Sequence, residues 1–293
     1  MQNARTALVT GASTGIGAAC VEYLLERGHR VFGSVRQQAD ADALRDRTHG
    51  KAEALLFDVT DEDAIHRAAE RLTATLGEQG LDGLVNNAGI AVAGPLEFVA
   101  IHDWRRQLEV NVIGHVAVTQ AFLPLLRKAR GRIVFMGSVS GRMAVPFLGP
   151  YAASKYALEA ITDALRRELR PWGMHVAVIE PGVVKTPIWD KSVQAGNEFA
   201  ASLPPTGRAL YGDMLASMKA MISKLARRGA PPVAVAKAVA HALTSTRPKT
   251  RYVVGTDAKI QARLLPLIPD RIADALISTA MHLRGANDDS PPI

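Results

Sequence analysis

The residues best placed to do chemistry are Tyr151 and Lys155, with Ser138 upstream of them. Residues 151–170 carry helical spacing, so a tyrosine and a lysine four apart share one face. A free phenol has a pKa near ~10 and is a poor base at neutral pH. A neighbouring ammonium favours the phenolate. Lowering a phenol by ~3 units takes ~4 kcal/mol of differential stabilisation, and one close, partly desolvated cation can supply much of that. Ser138 follows the apolar run Arg132–Met136. Its hydroxyl can donate to an oxygen that gains negative charge in a transition state. A tyrosine and a lysine four apart also arise by chance, with the lysine merely snorkelling. Ser140 and Ser154 compete with Ser138, and spacing to Tyr151 favours Ser138.

A second constellation opens the chain. Thr10-Gly11-Ala12-Ser13-Thr14-Gly15-Ile16-Gly17 follows the apolar run Thr6–Val9 and leads into a helical stretch. Glycines there allow a tight turn, a close approach to phosphate, and helix packing on the sheet. The helix start offers unpaired N–H groups to a pyrophosphate through Ser13, Thr14, Gly15 and Ile16. At the end of the next run, Val35 stands where an acid would select NAD(H), and Arg36 follows it. Arginine grips phosphate in bidentate fashion, so NADP(H) is expected over NAD(H). Asp58-Val59 follows the third run: Asp58 either meets an adenine amino group or caps the helix near Asp61. Asn87, Ala88 and Gly89 after the fourth run let backbone lie along a cofactor.

These residues need elements that bring them to one edge. Strand-like runs at Thr6–Val9, Arg30–Ser34, Ala54–Phe57, Gly83–Val85, Arg132–Met136, His175–Ile179 and Arg251–Val254 alternate with helical stretches at Gly17–Arg27, Asp61–Leu76, Ile101–Lys128, Tyr151–Arg170 and Pro232–Ser245. That alternation predicts an α/β fold: a Rossmann-like, doubly wound, seven-stranded parallel sheet with helices on both faces. Ligands of such folds sit at the C-terminal strand edge. Residues 1–257 read as one domain, with 186–229 as a lid insertion and 258–293 as a helical tail that frays over Asp288 to Ile293.

Composition narrows the function classes. Nearly half the residues are hydrophobic and fewer than a quarter charged, enough for a large core. The +7 charge is dispersed; the densest basic cluster, Arg127, Lys128, Arg130 and Arg132, reads as a solvated turn, so no nucleic-acid partner is expected. A basic surface also attracts an anionic dinucleotide. Cys20 is the one cysteine and lies in an apolar stretch, so it reads as a buried spectator in a reducing, cytoplasmic setting. Neither a metal-binding His-Glu-x-x-His nor a cysteine pair occurs, so no metal is expected. His102, His115 and His241 read as satisfied or surface histidines. No secretory leader and no membrane span are expected; 110–126 is interrupted by Asn111, His115 and Gln120. The apolar and basic residues of the tail allow a peripheral membrane contact. Met214, Met218 and Met221 suit either core packing or an apolar substrate pocket.

Together, Thr10 to Gly17, Asn86 to Gly89, Asn111, Ser138, Tyr151-Ala152-Ala153-Ser154-Lys155 and Pro181-Gly182 resemble the short-chain dehydrogenase/reductase family over roughly residues 5–190. Arg166 to Leu169 and Ile179 to Gly182 are similar to its retinol and 17β-hydroxysteroid dehydrogenase branch. The resemblance implies hydride transfer between a nicotinamide cofactor and an alcohol or carbonyl, on a bulky apolar small-molecule substrate such as a steroid or retinoid. It implies Tyr151 as acid/base, Ser138 as donor to the substrate oxygen, and Lys155 on the phenol and the nicotinamide ribose. Asn111 would hold a water for proton relay. Pro181, Gly182 and Val184 would approach the nicotinamide, and Thr186 would contact it or cap the next helix. Relatives commonly form dimers or tetramers through helices at 101–128 and 151–170. A non-catalytic NADP(H)-binding regulator of the same fold is the alternative.

Overall fold

A computed structural model describes residues 4–264 and 268–280; the expected fraying of 288–293 lies outside them. The chain runs β1 (Thr6–Val9), α1 (Gly15–Leu25), β2 (Arg30–Val35), α2 (Gln38–Arg47), β3 (Ala52–Leu56), α3 (Glu62–Leu76), β4 (Gly83–Asn86), α4 (Ile101–Leu108), a π-helical turn (Glu109–Ile113) and α5 (Gly114–Ala129). It continues with β5 (Arg132–Met136), α6 (Gly149–Glu168), β6 (His175–Pro181), α7 (Ile188–Ser202), α8 (Pro205–Arg228), α9 (Pro232–Thr244), β7 (Arg251–Val254), α10 (Thr256–Leu264) and α11 (Asp270–Ala280). All seven strands pair in parallel, in the order β3-β2-β1-β4-β5-β6-β7.

The strands are apolar on both faces because helices cover both. Ala7 and Val9 of β1 join one core layer with Cys20, Val21, Leu24, Val235 and Val239. Leu8 points the other way, into a layer with Leu72, Phe122, Leu126 and Leu158. Period-two alternation thus feeds two cores from one strand. Cys20 is a spectator in the first layer: burial pushes its thiol up to about 12. α2 was not read in the sequence. It is short and mostly polar, with only Ala41 and Leu44 buried.

Two further differences bear on function. The expected single helix over 101–128 is split by the π-helical turn at Glu109–Ile113; such turns are frequent at functional sites. The whole span Ile101–Ala129 has the length and apolarity of a membrane helix. Yet it buries Gln107, Asn111, His115, Val118 and Phe122 in the fold. The stretch 186–229, expected as a helical lid, forms two helices, α7 and α8. Its ends meet: Lys185 N–H donates to Ala230 O and Ala230 N–H to Val183 O, both at 2.9 Å.

Candidate active site

Strands β1, β2 and β3 run outward to one side and β4 begins the other, so the strand order reverses between β1 and β4. A cleft opens at the strand ends around that switch point, where open α/β sheets bind ligands. It is continuous from Arg36 and Asp58 at one end to Ser138, Tyr151 and Lys155 at the other.

The first end is made mostly of backbone. Gly11 and Gly15 have φ of +65° and +60°, conformations that L side chains rarely adopt. A Cβ on Gly17 would collide with the Gly11 carbonyl oxygen. Thr14 precedes α1 without a side-chain cap, and the first turn holds no acidic residue. The leading N–H groups of α1 and its positive dipole end are therefore available to an anion. Arg47 of α2 holds the other side of this turn. Its guanidinium donates to Ser13 O and Ala12 O, each at 3.1 Å, and pairs with Glu22 at 2.8 Å. The Asn87–Gly89 turn is tied to the first: the Thr10 hydroxyl oxygen accepts from Asn87 N–H and Ala88 N–H, and Asn87 Nδ2 donates to Thr10 O. Left-handed glycines, an uncapped helix start and a cleft spanning the switch point fit a dinucleotide.

Arg36 sits at the mouth, its side chain 68% exposed and 3.9 Å from the Asp58 carboxylate. Asp61, not Asp58, caps α3 by accepting from Ala64 N–H. Asp58 instead accepts from the N–H and the hydroxyl of Thr60. Thr186 does not cap α7; its side chain stands against Gly15 across the cleft.

At the other end, side chains dominate. Ser138 and Lys155 are buried and Tyr151 is half-buried, with its hydroxyl beside that of Ser138. Lys155 lies with Nζ 5.5 Å from the Tyr151 ring centre and donates to Met136 O at 2.7 Å. Burial pulls the Lys155 ammonium down to about 8. Burial also pushes the Tyr151 phenol above its ordinary value, and the Ser138 hydroxyl only partly offsets this. Desolvation is thus the larger influence on this phenol.

Asn111 does not line the cleft but stands behind it, fully buried at the π-helical turn. Its Oδ1 accepts from Ile90 N–H; its Nδ2 donates to Ile90 O and Ser154 Oγ. Gln107 extends the arrangement, accepting from Val92 N–H at 2.7 Å and donating to Ile90 O. Ser154 closes it by donating to Tyr151 O at 2.7 Å. One helical turn on, His115 Nε2 lies 2.6 Å from Ala88 O. A carbonyl partner fixes that nitrogen as the donor. Burial and the Lys155 charge hold this imidazole down at about 3.

Gly17 likewise does not line the cleft; it seats α1 on the sheet. Every other residue expected to touch a cofactor lines the cleft, including Ser13, Ile16, Val59, Asn87, Ala88, Gly89, Pro181, Gly182 and Val184. Reading by motif missed Ser34, Phe57, Ile90, Ile188 and Trp189, which also line it. It missed Arg47 and Gln107 as well. Gln107, Asn111 and His115 recur every fourth residue on one helix face. A polar stripe at that spacing in an apolar helix was the available signal.

Residues 5–197 match the short chain dehydrogenase family. The chain belongs to this family of oxidoreductases. It is 41% identical over 277 residues to an NADPH-dependent 3-dehydrocapnine reductase of Ornithobacterium rhinotracheale, covering 93% of this chain and 95% of the relative. It is 38% identical over 274 residues to retinol dehydrogenase 16 of Mus musculus, covering 92% and 86%. A crystal structure of a short chain dehydrogenase from Burkholderia cenocepacia J2315 in complex with NADP superposes with a TM-score of 0.72, at 26% identity over 94% of this chain and 97% of that one.

In this family member α8 meets the body through aromatic contacts. Tyr211 of α8 packs edge-on against Phe98 and Phe147 and donates to Glu97 Oε2 at 2.9 Å. Met214, Met218 and Met221 cluster there with Phe147, Leu148 and Ile277 of α11. Trp189 of α7 donates its indole N–H to Val184 O. Of the other histidines, His241 bonds the Tyr252 hydroxyl through Nδ1, while His102 is exposed. In the basic cluster, Lys128 pairs with Glu78, Arg127 covers Trp172 and Arg132 donates to Ala242 O.

Proposed function

We propose that the protein is an NADP(H)-dependent dehydrogenase/reductase that interconverts a secondary alcohol and a ketone, or a primary alcohol and an aldehyde, on a bulky apolar substrate. The observation that carries this is the Ser138–Tyr151 hydroxyl pair with a buried Lys155 beside it, at the end of a cleft suited to a dinucleotide. A bound nicotinamide supplies the hydride and, when oxidised, a positive charge. In reduction, Ser138 donates a hydrogen bond to the carbonyl oxygen and Tyr151 gives it a proton. In oxidation, Tyr151 takes the alcohol proton. Lys155 carries positive charge in the pH range below about 8, favours the phenolate in concert with an oxidised ring, and binds the nicotinamide ribose. Asn111 acts by fixing Ile90 and Ser154 beside the tyrosine's helix.

Arg36 favours a 2′-phosphate because it is exposed at the cleft mouth with no acid at Val35. Two relatives support the reading: the Ornithobacterium reductase is NADPH-dependent and the Burkholderia enzyme holds NADP. In this reading 1–257 is the catalytic domain, 186–229 its lid and 258–293 an extension. The likeness to a retinol dehydrogenase supports an apolar substrate. Exposed Leu108, Ile113 and Tyr156 support self-association, and exposed Ile260, Leu264, Ile272 and Leu276 a peripheral membrane contact.

NADPH consumption over a panel of apolar ketones and aldehydes tests the function. Turnover of at least one class is expected. Tight NADPH binding with no turnover across the panel would favour the regulatory alternative.

A further inference from the structure

Beneath the Ser138–Tyr151 pair lies a charged cluster that the reaction itself does not use. Glu180, at the end of β6, has a side chain with no exposure. Arg142 Nη2 donates to its Oε1 at 2.7 Å, while Nε stands 2.7 Å from Oε2 as an ion pair without a hydrogen bond. Arg251 of β7 reaches Glu159 at 3.0 Å, Asp163 at 3.0 Å and Glu180 at 3.6 Å. Arg166 holds Asp163 at 2.9 Å. Three carboxylates and three guanidiniums are thus packed together.

The elements they join are those that carry the site. Ser138 precedes a short 3-10 turn, Val139–Gly141, and its Oγ accepts from Ser140 N–H. Arg142 is the next residue, so it is the far anchor of the serine's own turn. That turn lies against the backbone of Lys155, where a Cβ on Gly141 would meet the Lys155 carbonyl. Glu159 is one helical turn beyond Lys155 on α6, and its carboxylate faces Gly137. Glu180 is followed by Pro181 and Gly182, which line the cleft. An ion pair with a buried carboxylate, as here where Glu180 is buried and Arg142 is partly exposed, seldom adds stability over apolar packing of similar shape. Its use is to fix one geometry among several.

We propose that the Arg142–Glu180 pair is a positioning clamp that sets the Ser138 turn against the Tyr151 helix and the cofactor-facing turn of β6. The proposal rests on the functional reading above. Arg142 and Glu180 touch neither substrate nor cofactor; they act through Ser138. A displaced hydroxyl loses transition-state stabilisation without altering the dinucleotide's seat.

The test compares wild type, Arg142→Lys, Arg142→Met and the double variant Arg142→Met/Glu180→Gln in the full chain. Arg142→Met alone strands a buried carboxylate and can unfold the protein; the double variant removes both charges and covers that outcome. The clamp predicts that kcat falls about 10- to 100-fold in the double variant, with KM and NADPH affinity within about threefold and part of the loss restored in Arg142→Lys. Amide hydrogen exchange over 138–143, which needs no substrate, should quicken while exchange in β1 and α1 stays the same. A folded double variant with wild-type kcat, or with unaltered exchange over 138–143, would overturn the clamp. So would a kcat loss matched by an equal loss of NADPH affinity. Failure of the functional reading shows separately, as a wild type that turns over no carbonyl while the exchange difference persists.

Discussion

The two ends of the cleft are built from different material. The dinucleotide end is held by main-chain geometry: left-handed Gly11 and Gly15, an uncapped α1, and carbonyls pinned by Arg47. The carbonyl end is held by buried side chains: Gln107, Asn111, Ser154, and the Arg142–Glu180 pair. A backbone cradle tolerates change in most side chains but not in its glycines. A side-chain scaffold keeps its shape only while each polar group has its partner, because a buried polar atom left alone costs about 1–3 kcal/mol. The first end should therefore fail through sterics and the second through chemistry and pH.

The largest effect expected at the dinucleotide end is from Gly17→Ala. The added methyl would meet the Gly11 carbonyl and the Asn87 amide, neither of which can yield cheaply. Overpacking of this kind costs about 1–3 kcal/mol or more. NADPH should give little or no melting shift in this variant, and a wild-type shift would break the contrast. Arg36→Ala comes next. Loss of a charge-assisted phosphate contact, about 1.5–3 kcal/mol, should weaken NADPH by roughly 10- to 150-fold and leave NADH nearly unaltered. Equal weakening of both cofactors by calorimetry would refute the assignment of Arg36.

At the other end, His115 offers a pH signature. Its folded pKa of about 3 lies below the ordinary 6.5. Below pH 6.5 the unfolded chain binds a proton that the folded chain cannot, so this contribution to stability is present above 6.5. It is lost as pH falls toward 3, by about 1.4 kcal/mol per pH unit. His115→Gln keeps a donor for Ala88 O and should remove that slope from the difference between the two denaturation curves. A slope that survives in the variant would place the proton elsewhere. The smallest effect belongs to Tyr211→Phe. The exposed hydroxyl bond to Glu97 contributes about 0.5–1.5 kcal/mol at most, so a change of a few-fold in KM with kcat retained is expected. A kcat loss would mean that the lid latch enters the chemistry.

The same contrast explains what could be read from the chain. The glycine turn and all seven strands were legible because local sequence dictates them: a turn at a strand–helix junction and apolar runs of strand length; that Ser138, Tyr151 and Lys155 share one end of a cleft followed from their spacing taken with the family resemblance. Arg47 was not legible, because α2 is polar and its ties to the site cross from another βα unit. Glu180 and Arg142 become partners only when β6 and the Ser138 turn meet in the sheet, at a sequence separation that no periodicity records. The burial of the Tyr151 phenol was not legible either: a neighbour four residues away is visible in sequence, whereas desolvation is a property of the assembled core.

The most direct measurement is made on Tyr151→Phe, reading steady-state turnover and the NADPH melting shift on the same sample. Removing a general acid/base typically costs 10²- to 10⁴-fold. With Tyr151 as that group, kcat should fall by about that much while the melting shift stays at its wild-type size. Turnover at the wild-type rate by the phenylalanine variant would contradict the assignment.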